Sequence, residues 1–218
     1  MIALRLKEKK IGAFFNSESE SLAEKHTDKG IPSTAQDHID IVCDSNAKSV
    51  IDVGSGPGSL LIEMLKRGVE VGIGVDLAGD MNQIATRRLK EAKIVQDRYE
   101  IIEGSFLELN KDNFPEIMDQ YDAVSLHLVL CCHPDREGML NQTTKFKPKT
   151  IVLTVPRTWI LMRAIVGIYG LISKIRRHFQ PYVHSQRSID RQLLNAGYKL
   201  TNRKKTLMLV MSSYTLKE

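Results

Sequence analysis

A glycine-rich loop and, one strand later, an aspartate are the residues best suited to chemistry in this chain. The apolar run Val50-Ile-Asp-Val53 leads directly into Gly54-Ser-Gly-Pro-Gly58. Glycines at such a turn let the backbone approach a ligand closely at the start of the next helix. The next apolar run ends in Asp76, 22 residues after Gly54, where a carboxylate can accept hydrogen bonds from both hydroxyls of a ribose. The spacing therefore predicts a nucleoside-containing ligand.

The spacing of the glycines argues against a dinucleotide. A dinucleotide fingerprint reads G-x-G-x-x-G, but here the third glycine is Gly58, one position early, and Ser59 follows it. Pro57 has no N–H, so the loop loses one of the backbone donors that would cradle a pyrophosphate.

The elements that must position this loop alternate between apolar runs and helical patterns. Strands separated by helices and apolar on both faces form a parallel sheet through right-handed crossovers. A closing strand pair follows, joined by the basic turn Arg203-Lys-Lys205. The sequence predicts an α/β fold with a helical cap over residues 1–47. The predicted strands are 49–53, 71–75, 99–102, 123–130, 150–155, 199–203 and 207–214, with helices at 60–67 and 81–92.

In these motifs the chain resembles the class I, Rossmann-like methyltransferases that use S-adenosylmethionine (SAM). Gly74-Val-Asp-Leu-Ala-Gly-Asp-Met81 and Ile102-Glu-Gly-Ser-Phe106 follow the glycine loop in the order and spacing of that superfamily. The resemblance implies a mostly parallel seven-stranded sheet flanked by helices, with an antiparallel C-terminal strand pair. It also implies a SAM-dependent domain over 48–218, which leaves S-adenosylhomocysteine (SAH) as product.

The resemblance further implies a cofactor site. Asp52 would receive the methionine amine, the glycine loop would pass beneath the methionine and ribose, and Asp76 would bind the ribose hydroxyls. Many relatives carry an acid where Ser105 stands, which accepts from the adenine amino group; a hydroxyl accepts more weakly. The implied cofactor residues are Asp52, Gly54, Ser55, Gly56, Gly58, Asp76, Leu77, Met81, Ser105 and Phe106.

A narrower resemblance is to the group around magnesium-protoporphyrin IX O-methyltransferase. It is carried by Phe14-Phe-Asn16, Cys131-Cys-His-Pro-Asp135, Val155-Pro-Arg157 and Tyr182-Val-His184. The exit of the fourth strand has no Asn/Asp-Pro-Pro-aromatic tetrad, the signature of enzymes that methylate exocyclic amines of bases. A nucleic-acid amino-methyltransferase is therefore disfavoured.

Three residues are candidates for the catalytic site. His133 follows the fourth strand, where an acceptor would lie, although the narrower group has Tyr there and its catalytic His one place earlier, where this chain has Cys132. The alternative for His133 is a helix-capping or exposed role. Arg157 and Arg163 are natural bidentate partners for an acceptor carboxylate. His184 is a candidate acceptor-binding residue.

The remaining histidines and the cysteines are expected to be structural. His127 is predicted to be a satisfied buried polar group, and His26, His38 and His178 to lie on the surface. The pair Cys131-Cys132 has no partner at metal-ligand spacing, so packing at the strand end is favoured over a zinc site. No metal site is predicted.

Composition excludes several classes of protein. The 218 residues are 42% hydrophobic and 26% charged, which fits one globular domain and not collagen, a disordered chain or a disulfide scaffold. Three cysteines, an odd number, fit a reducing, cytoplasmic location. No signal peptide is recognised, and no apolar run reaches the ~20 residues of a transmembrane helix.

Charge is distributed unevenly along the chain. Residues 157–218 carry a net charge of +10, whereas the rest carries −5, and a basic third favours an anionic partner. Within it, 157–185 is an insertion that is apolar and then basic. It is predicted to be a lid over the acceptor; the alternatives are a peripheral membrane contact through 159–178 and a helix buried against the core or a dimer partner.

The resemblance implies a SAM-dependent methyltransferase, and the apolar and basic C-terminal third favours a small, apolar and anionic acceptor. Two alternatives belong to other classes. An RNA or protein methyltransferase could use the basic third to follow a phosphate backbone, although one Trp in the chain offers little base stacking. A non-catalytic protein that binds SAM or lipid is the other.

Overall fold

Seven strands form one mixed sheet in the computed structural model, which describes residues 2–28, 30–115, 117–158 and 179–217. The strand order is β3-β2-β1-β4-β5-β7-β6, with the first five parallel and β7 antiparallel to both neighbours. The predicted fold class is confirmed. The strands are β1 Ser49–Val53, β2 Val71–Asp76, β3 Tyr99–Glu103, β4 Ala123–His127, β5 Thr150–Pro156, β6 Tyr198–Lys205 and β7 Leu209–Leu216.

Helices cover both faces of the sheet, because the parallel strands are apolar on both sides. One core layer packs α2 and α3 against the sheet around Ile39, Leu61 and Met64. The other packs α5 and α6 around Leu140 and Leu193. The helices in the described part of the chain are α1 Ile2–Asp28, α2 Ser33–Asp44, α3 Ser59–Lys66, α4 Gly79–Glu91, α5 Arg136–Lys145 and α6 Gln186–Asn195.

The order of the strands reverses at β1, which lies between β2 and β4. Asp52 pairs in register with Gly74 on one side and with Ser125 on the other. In open α/β sheets ligands bind outside the carboxyl ends of the strands at such a switch point. The fold thus places the glycine loop and Asp76 at one crevice.

Two differences from the predicted elements concern the end of β4 and the C-terminal turn, whereas the other bounds lie within two residues of the prediction. β4 ends at His127 and not at residue 130, because Leu128 adopts a left-handed backbone (φ 58°) and a short 3-10 helix, Leu130–Cys132, follows. The basic residues 203–205 are not a turn but the end of β6, where Lys205 pairs with Val210. The turn is 206–208, closed by the Thr206 N–H bonding to the Leu209 carbonyl at 2.9 Å.

Little of the predicted lid, 157–185, belongs to the described part of the chain. Residues 159–178, which carry the membrane-contact prediction together with Arg163 and His178, lie outside the described residues. Beyond them, Phe179 stacks on Phe14 with ring centroids 4.3 Å apart, and the Tyr182 N–H donates to the Cys131 carbonyl at 2.7 Å. None of the described helices has the length and apolarity to span a membrane.

Candidate cofactor and active site

The glycine loop is held against the end of β2. Gly54, Gly56 and Gly58 all have positive φ (65°, 51° and 74°), a conformation that glycine adopts without the steric cost of a Cβ. The Gly54 N–H donates to the Val75 carbonyl at 2.8 Å, and the Gly56 N–H donates to Asp76 Oδ2 at 2.9 Å. Asp76 therefore fixes the loop through one carboxylate oxygen, while its Oδ1 accepts from the Ala78 N–H at 2.9 Å.

Asp52 carries a buried oxygen with no partner. Its side chain is buried beneath the loop, and neither its Oδ2 nor the hydroxyl of Ser55 has a hydrogen-bond partner among the described residues. The pKa of Asp52 is raised to about 7, mainly by burial and also by nearby Asp76, against the lowering effect of a hydrogen bond with Ser125. A buried carboxylate without a partner is costly, so this oxygen suits a cationic ligand group such as the methionine ammonium of SAM.

A cavity of about 340 Å³ opens beside the loop, within the size range of ligand pockets. Gly58 and Ser105 are not part of its lining: Gly58 starts α3, and Ser105 is tied to Glu8. A larger hollow of about 620 Å³ lies beside α4, and no residue of the glycine loop lines it. The other eight predicted cofactor residues line the cavity: Asp52, Gly54, Ser55, Gly56, Asp76, Leu77, Met81 and Phe106.

Helix α1, which belongs to the predicted helical cap of residues 1–47, covers this cavity. Ile11, Phe15 and Leu22 line the cavity. A Cβ at Gly12 would lie 2.6 Å from the Leu77 carbonyl oxygen, so only glycine permits this close approach of the helix to the cofactor-binding segment. Asn16 adds a polar anchor, since its Oδ1 accepts from the Asp80 N–H at 3.0 Å.

Glu8, also on α1, forms a buried cluster with His133 and Ser105. Its Oε1 accepts from the Ser105 hydroxyl at 2.5 Å and pairs with His133 Nε2 at 3.1 Å. Burial alone would raise the pKa of Glu8, but the hydrogen bonds from His133 and Ser105 outweigh it and the pKa is lowered. His133 Nδ1 accepts from the Asp135 N–H at 3.2 Å, which assigns the ring proton to Nε2. Both ring nitrogens of His133 are thus engaged, although His133 lines the cavity.

Arg157 and His184 lie outside the cavity lining. The Arg157 guanidinium donates to the Thr206 carbonyl at 3.2 Å, and the backbone N–H of Arg157 donates to the Met208 carbonyl at 2.8 Å. Met208 directly precedes Leu209, which lines the cavity. His184 Nε2 donates to the His133 carbonyl at 3.0 Å; burial lowers the pKa of His184, while that hydrogen bond opposes the shift. His184 thus lies behind His133.

The expectation that His38 lies on the surface is wrong. His38 is fully buried between α2 and the sheet, with Nδ1 3.0 Å from Ser125 Oγ and Nε2 2.9 Å from Thr154 Oγ1. Burial lowers the pKa of His38 well below its usual value. The sequence held a signal, because His38 continues the apolar stripe of Ala35, Ile39 and Val42 at helical spacing.

His127 and the cysteine pair lie at the end of β4. His127 lines the cavity and bonds to Thr34 Oγ1 at 3.0 Å. The sulfur atoms of Cys131 and Cys132 are 3.9 Å apart, and Cys131 donates to the Leu128 carbonyl at 3.1 Å. Within the described ranges no three His, Cys, Asp or Glu side chains are grouped as a metal site. The side chain of His26 lies outside the described residues.

A family profile described as a methyltransferase domain matches residues 22–202. The chain belongs to this family. With the glycine loop, Asp52 and Asp76 at one cavity, it is a SAM-dependent methyltransferase. Among curated proteins none matches the chain significantly.

Solved structures share the fold of this methyltransferase at low sequence identity. Magnesium protoporphyrin IX methyltransferase from Synechocystis PCC 6803 with bound SAH is 18% identical, with a TM-score of 0.68 over 85% of this chain and 83% of that one. The methyltransferase domain of bacterial CtHen1 is 21% identical, with a TM-score of 0.62 over 84% and 97%. YcgJ from Bacillus subtilis is 10% identical, with a TM-score of 0.68 over 85% and 99%.

Proposed function

We propose that this enzyme methylates a small molecule that has an apolar body and a carboxylate. The observation that carries the proposal is the lining of the cavity beyond the cofactor residues. There α1, the residue before α2, the β4 exit, α5 and β7 contribute apolar side chains to a lining that also contains His127. These apolar lining residues are Leu22, Pro32, Leu128, Val129, Met139 and Leu209.

A carboxylate acceptor agrees with the state of His133. Both ring nitrogens of His133 are engaged, by Glu8 and by the Asp135 N–H, so this side chain has no free nitrogen to remove a proton from an acceptor. A carboxylate is ionised near neutral pH and presents a nucleophilic oxygen without a base. Arg157, which follows the pair of Pro156 with the lining residue Leu209, would orient it as a bidentate donor.

The residues of this chain then act by binding and alignment. SAM supplies a methyl group activated on a sulfonium sulfur. Asp52 and the glycine loop hold the cofactor end of the cavity, and α1 excludes water from above. Arg157 would hold the carboxylate of the acceptor in one orientation; such positioning lowers the barrier without acid–base catalysis.

A nucleic-acid acceptor is the less supported candidate, because the charges of the basic C-terminal third are partly neutralised. Arg203 pairs with Asp190 at 2.5 Å and Lys204 with Asp37 at 2.8 Å. These contacts reduce the positive patch that would follow a phosphate backbone.

The test is transfer of label from SAM. We expect the purified enzyme to label a compound in the small-molecule fraction of a native extract and to leave a tRNA pool unlabelled. Mass analysis of the labelled compound identifies the acceptor. Label in the RNA fraction alone would contradict the proposal, and no label in any fraction would show that the acceptor is of another class.

The substitution Arg157→Gln tests the orienting cation once that compound is known. We expect a higher KM or a lower kcat for the acceptor with SAM affinity within about twofold, because only one ligand is contacted. Arg191→Gln, on the exposed side of α6, is the matched control and should match wild type. Unchanged acceptor kinetics in Arg157→Gln would remove Arg157 from the site.

A further inference from the structure

A row of buried polar side chains crosses the sheet beneath α2. Asp52 pairs in register with Ser125, and Thr154 of β5 pairs with His127, two residues beyond Ser125. Because side chains alternate along a strand, Asp52, Ser125 and Thr154 lie on the same face of the sheet. All three are buried. The side chains that α2 and the sheet pack together on this face are otherwise apolar, so packing alone does not require a polar row.

His38 of α2 joins two strands in this row. Its Nδ1 lies 3.0 Å from Ser125 Oγ, and its Nε2 lies 2.9 Å from Thr154 Oγ1. Ser125 in turn forms the hydrogen bond that lowers the pKa of Asp52 against the effect of burial. A continuous series of hydrogen bonds therefore runs from the cavity lining, at Asp52, to Thr154 on β5.

The ionisation of Asp52 sets the direction of these hydrogen bonds. An ionised carboxylate only accepts, so the single proton of the Ser125 hydroxyl is directed at Asp52. Ser125 then accepts from His38, which requires the ring proton on Nδ1, and Nε2 accepts from Thr154. When Asp52 is protonated, its Oδ2 has no partner among the described residues, so its proton is best placed toward Ser125. Ser125 then donates to Nδ1, and the ring proton of His38 lies on Nε2.

We propose that His38 is a positioning residue for cofactor binding: it acts through Ser125 to stabilise the ionised Asp52 carboxylate that receives the ammonium of SAM. As SAM binds, Asp52 releases one proton to solvent, and the ring proton of His38 changes from Nε2 to Nδ1. His38 stays neutral in both states, because burial lowers its pKa well below the usual value. Two further titratable groups act on the series, Asp76 near Asp52 and His127, whose ring centroid lies 5.1 Å from that of His38. The proposal rests on Asp52 as the partner of the ammonium and not on the identity of the acceptor.

Nitrogen NMR of the imidazole rings, recorded at pH ~6 with and without ligand, measures the position of the ring proton directly. At that pH the ligand-free protein keeps Asp52 protonated, since its pKa is raised to about 7. We expect SAH, which carries the same ammonium as SAM, to move the ring proton of His38 from Nε2 to Nδ1. Saturating methylthioadenosine, which lacks the amino-acid part, should leave it on Nε2, and in Asp52→Asn SAH should cause no change. Substitution of His38 removes its signal and so assigns it among the six histidines.

Two substitutions of His38 separate this role from a structural one. The amide of asparagine ends near the position of Nδ1 and can donate to Ser125, whereas the amide of glutamine ends near Nε2 and keeps only the contact with Thr154. We expect His38→Gln to lose roughly 2- to 10-fold in SAH affinity by calorimetry, the range for one neutral hydrogen bond, and His38→Asn to stay within about twofold of wild type. Tyr198→Phe changes a buried tyrosine of β6 outside the cavity lining; it is the matched control and should bind SAH as wild type does.

The possible failures of this proposal are distinguishable from one another. A ring proton that does not move, although SAH binding releases a proton that depends on Asp52, would overturn the role of His38 and leave Asp52 as the partner of the ammonium. Absence of that proton release in wild type would refute Asp52 itself, and the role of His38 with it. Equal losses of affinity in His38→Asn and His38→Gln would show a merely structural role. The NMR comparison of wild type with and without SAH decides the question even where a substitution of His38 folds poorly.

Discussion

Replacing Asp52 with asparagine tests whether this carboxylate is reserved for the ammonium group of SAM. Burial raises its pKa from 3.8 to about 7, so the folded state favours the protonated form. This contribution to stability is fully present below the unfolded pKa of 3.8 and is lost as the pH rises through about 7. At 1.36 kcal/mol per pH unit, the raised pKa lowers the stability of the ligand-free protein, relative to pH values below 3.8, by about 4 kcal/mol at pH ~8 and about 2 kcal/mol at pH ~5.

We therefore expect Asp52→Asn to stabilise the ligand-free protein more at pH ~8 than at pH ~5, by about 2–3 kcal/mol. The quantity to measure is the change in unfolding free energy on substitution at pH ~8 minus the same change at pH ~5. Effects of asparagine that do not depend on pH cancel in this subtraction. Urea unfolding at both pH values gives it. An equal effect of the substitution at both pH values would refute the assignment of the raised pKa to Asp52.

Bound SAM should favour the ionised form of Asp52, whereas the ligand-free protein favours the protonated form. An ammonium beside Asp52 stabilises the ionised carboxylate, so SAM binding to wild type releases a proton below pH ~7 and weakens as the pH falls. In Asp52→Asn we expect SAM affinity to fall by about 1.5–3 kcal/mol, the range for a hydrogen bond to a charged group, and the proton release to vanish. Calorimetry in two buffers of different ionisation enthalpy measures that release; release that persists in the variant would mean that another group titrates.

Two other substitutions test the cofactor site. Asp76→Ala should weaken SAM binding by roughly 1.5–3 kcal/mol, because it removes the ribose acceptor and the bond from the Gly56 N–H; unchanged affinity by calorimetry would place the ribose elsewhere. Gly56→Val should abolish SAM binding while circular dichroism stays native. Its left-handed φ of 51° adds roughly 1–2 kcal/mol of strain, and the side chain would fill ligand space, so retained binding would contradict the site.

The sequence predicted the sheet well because its strands are local, apolar and separated by helices. The reversal of strand order at β1 and the antiparallel β7 follow from that alternation together with the family resemblance. The end of β4 was not predictable in the same way. Residues 128–130 are as apolar as the strand, but Leu128 turns left-handed and its N–H donates to the Thr154 carbonyl at 3.1 Å. A pattern of apolar residues carries no information on such a change of backbone conformation.

Most of the predicted cofactor residues, which share motifs, line one cavity, whereas contacts between residues far apart in the chain were not predicted. Glu8 reaches His133 across 125 residues, and α1 as a whole is too polar to suggest that one of its glutamates is buried. His38 was misplaced for a different reason. Its partners, Ser125 and Thr154, lie on two strands, and they satisfy a buried imidazole that would otherwise be unfavourable.

The family match begins at residue 22, so Glu8, Ile11 and Phe15 lie in front of the shared domain. The glycine loop, Asp52 and Asp76 lie within it and provide what every SAM-dependent transfer needs, a place for the methyl donor. What the leading segment adds is a roof over the same cavity, which determines the shape of the remaining space and how far water can enter. We therefore expect selectivity for the acceptor to depend on the side chains of this leading segment that line the cavity, such as Ile11 and Phe15, more than on the glycine loop.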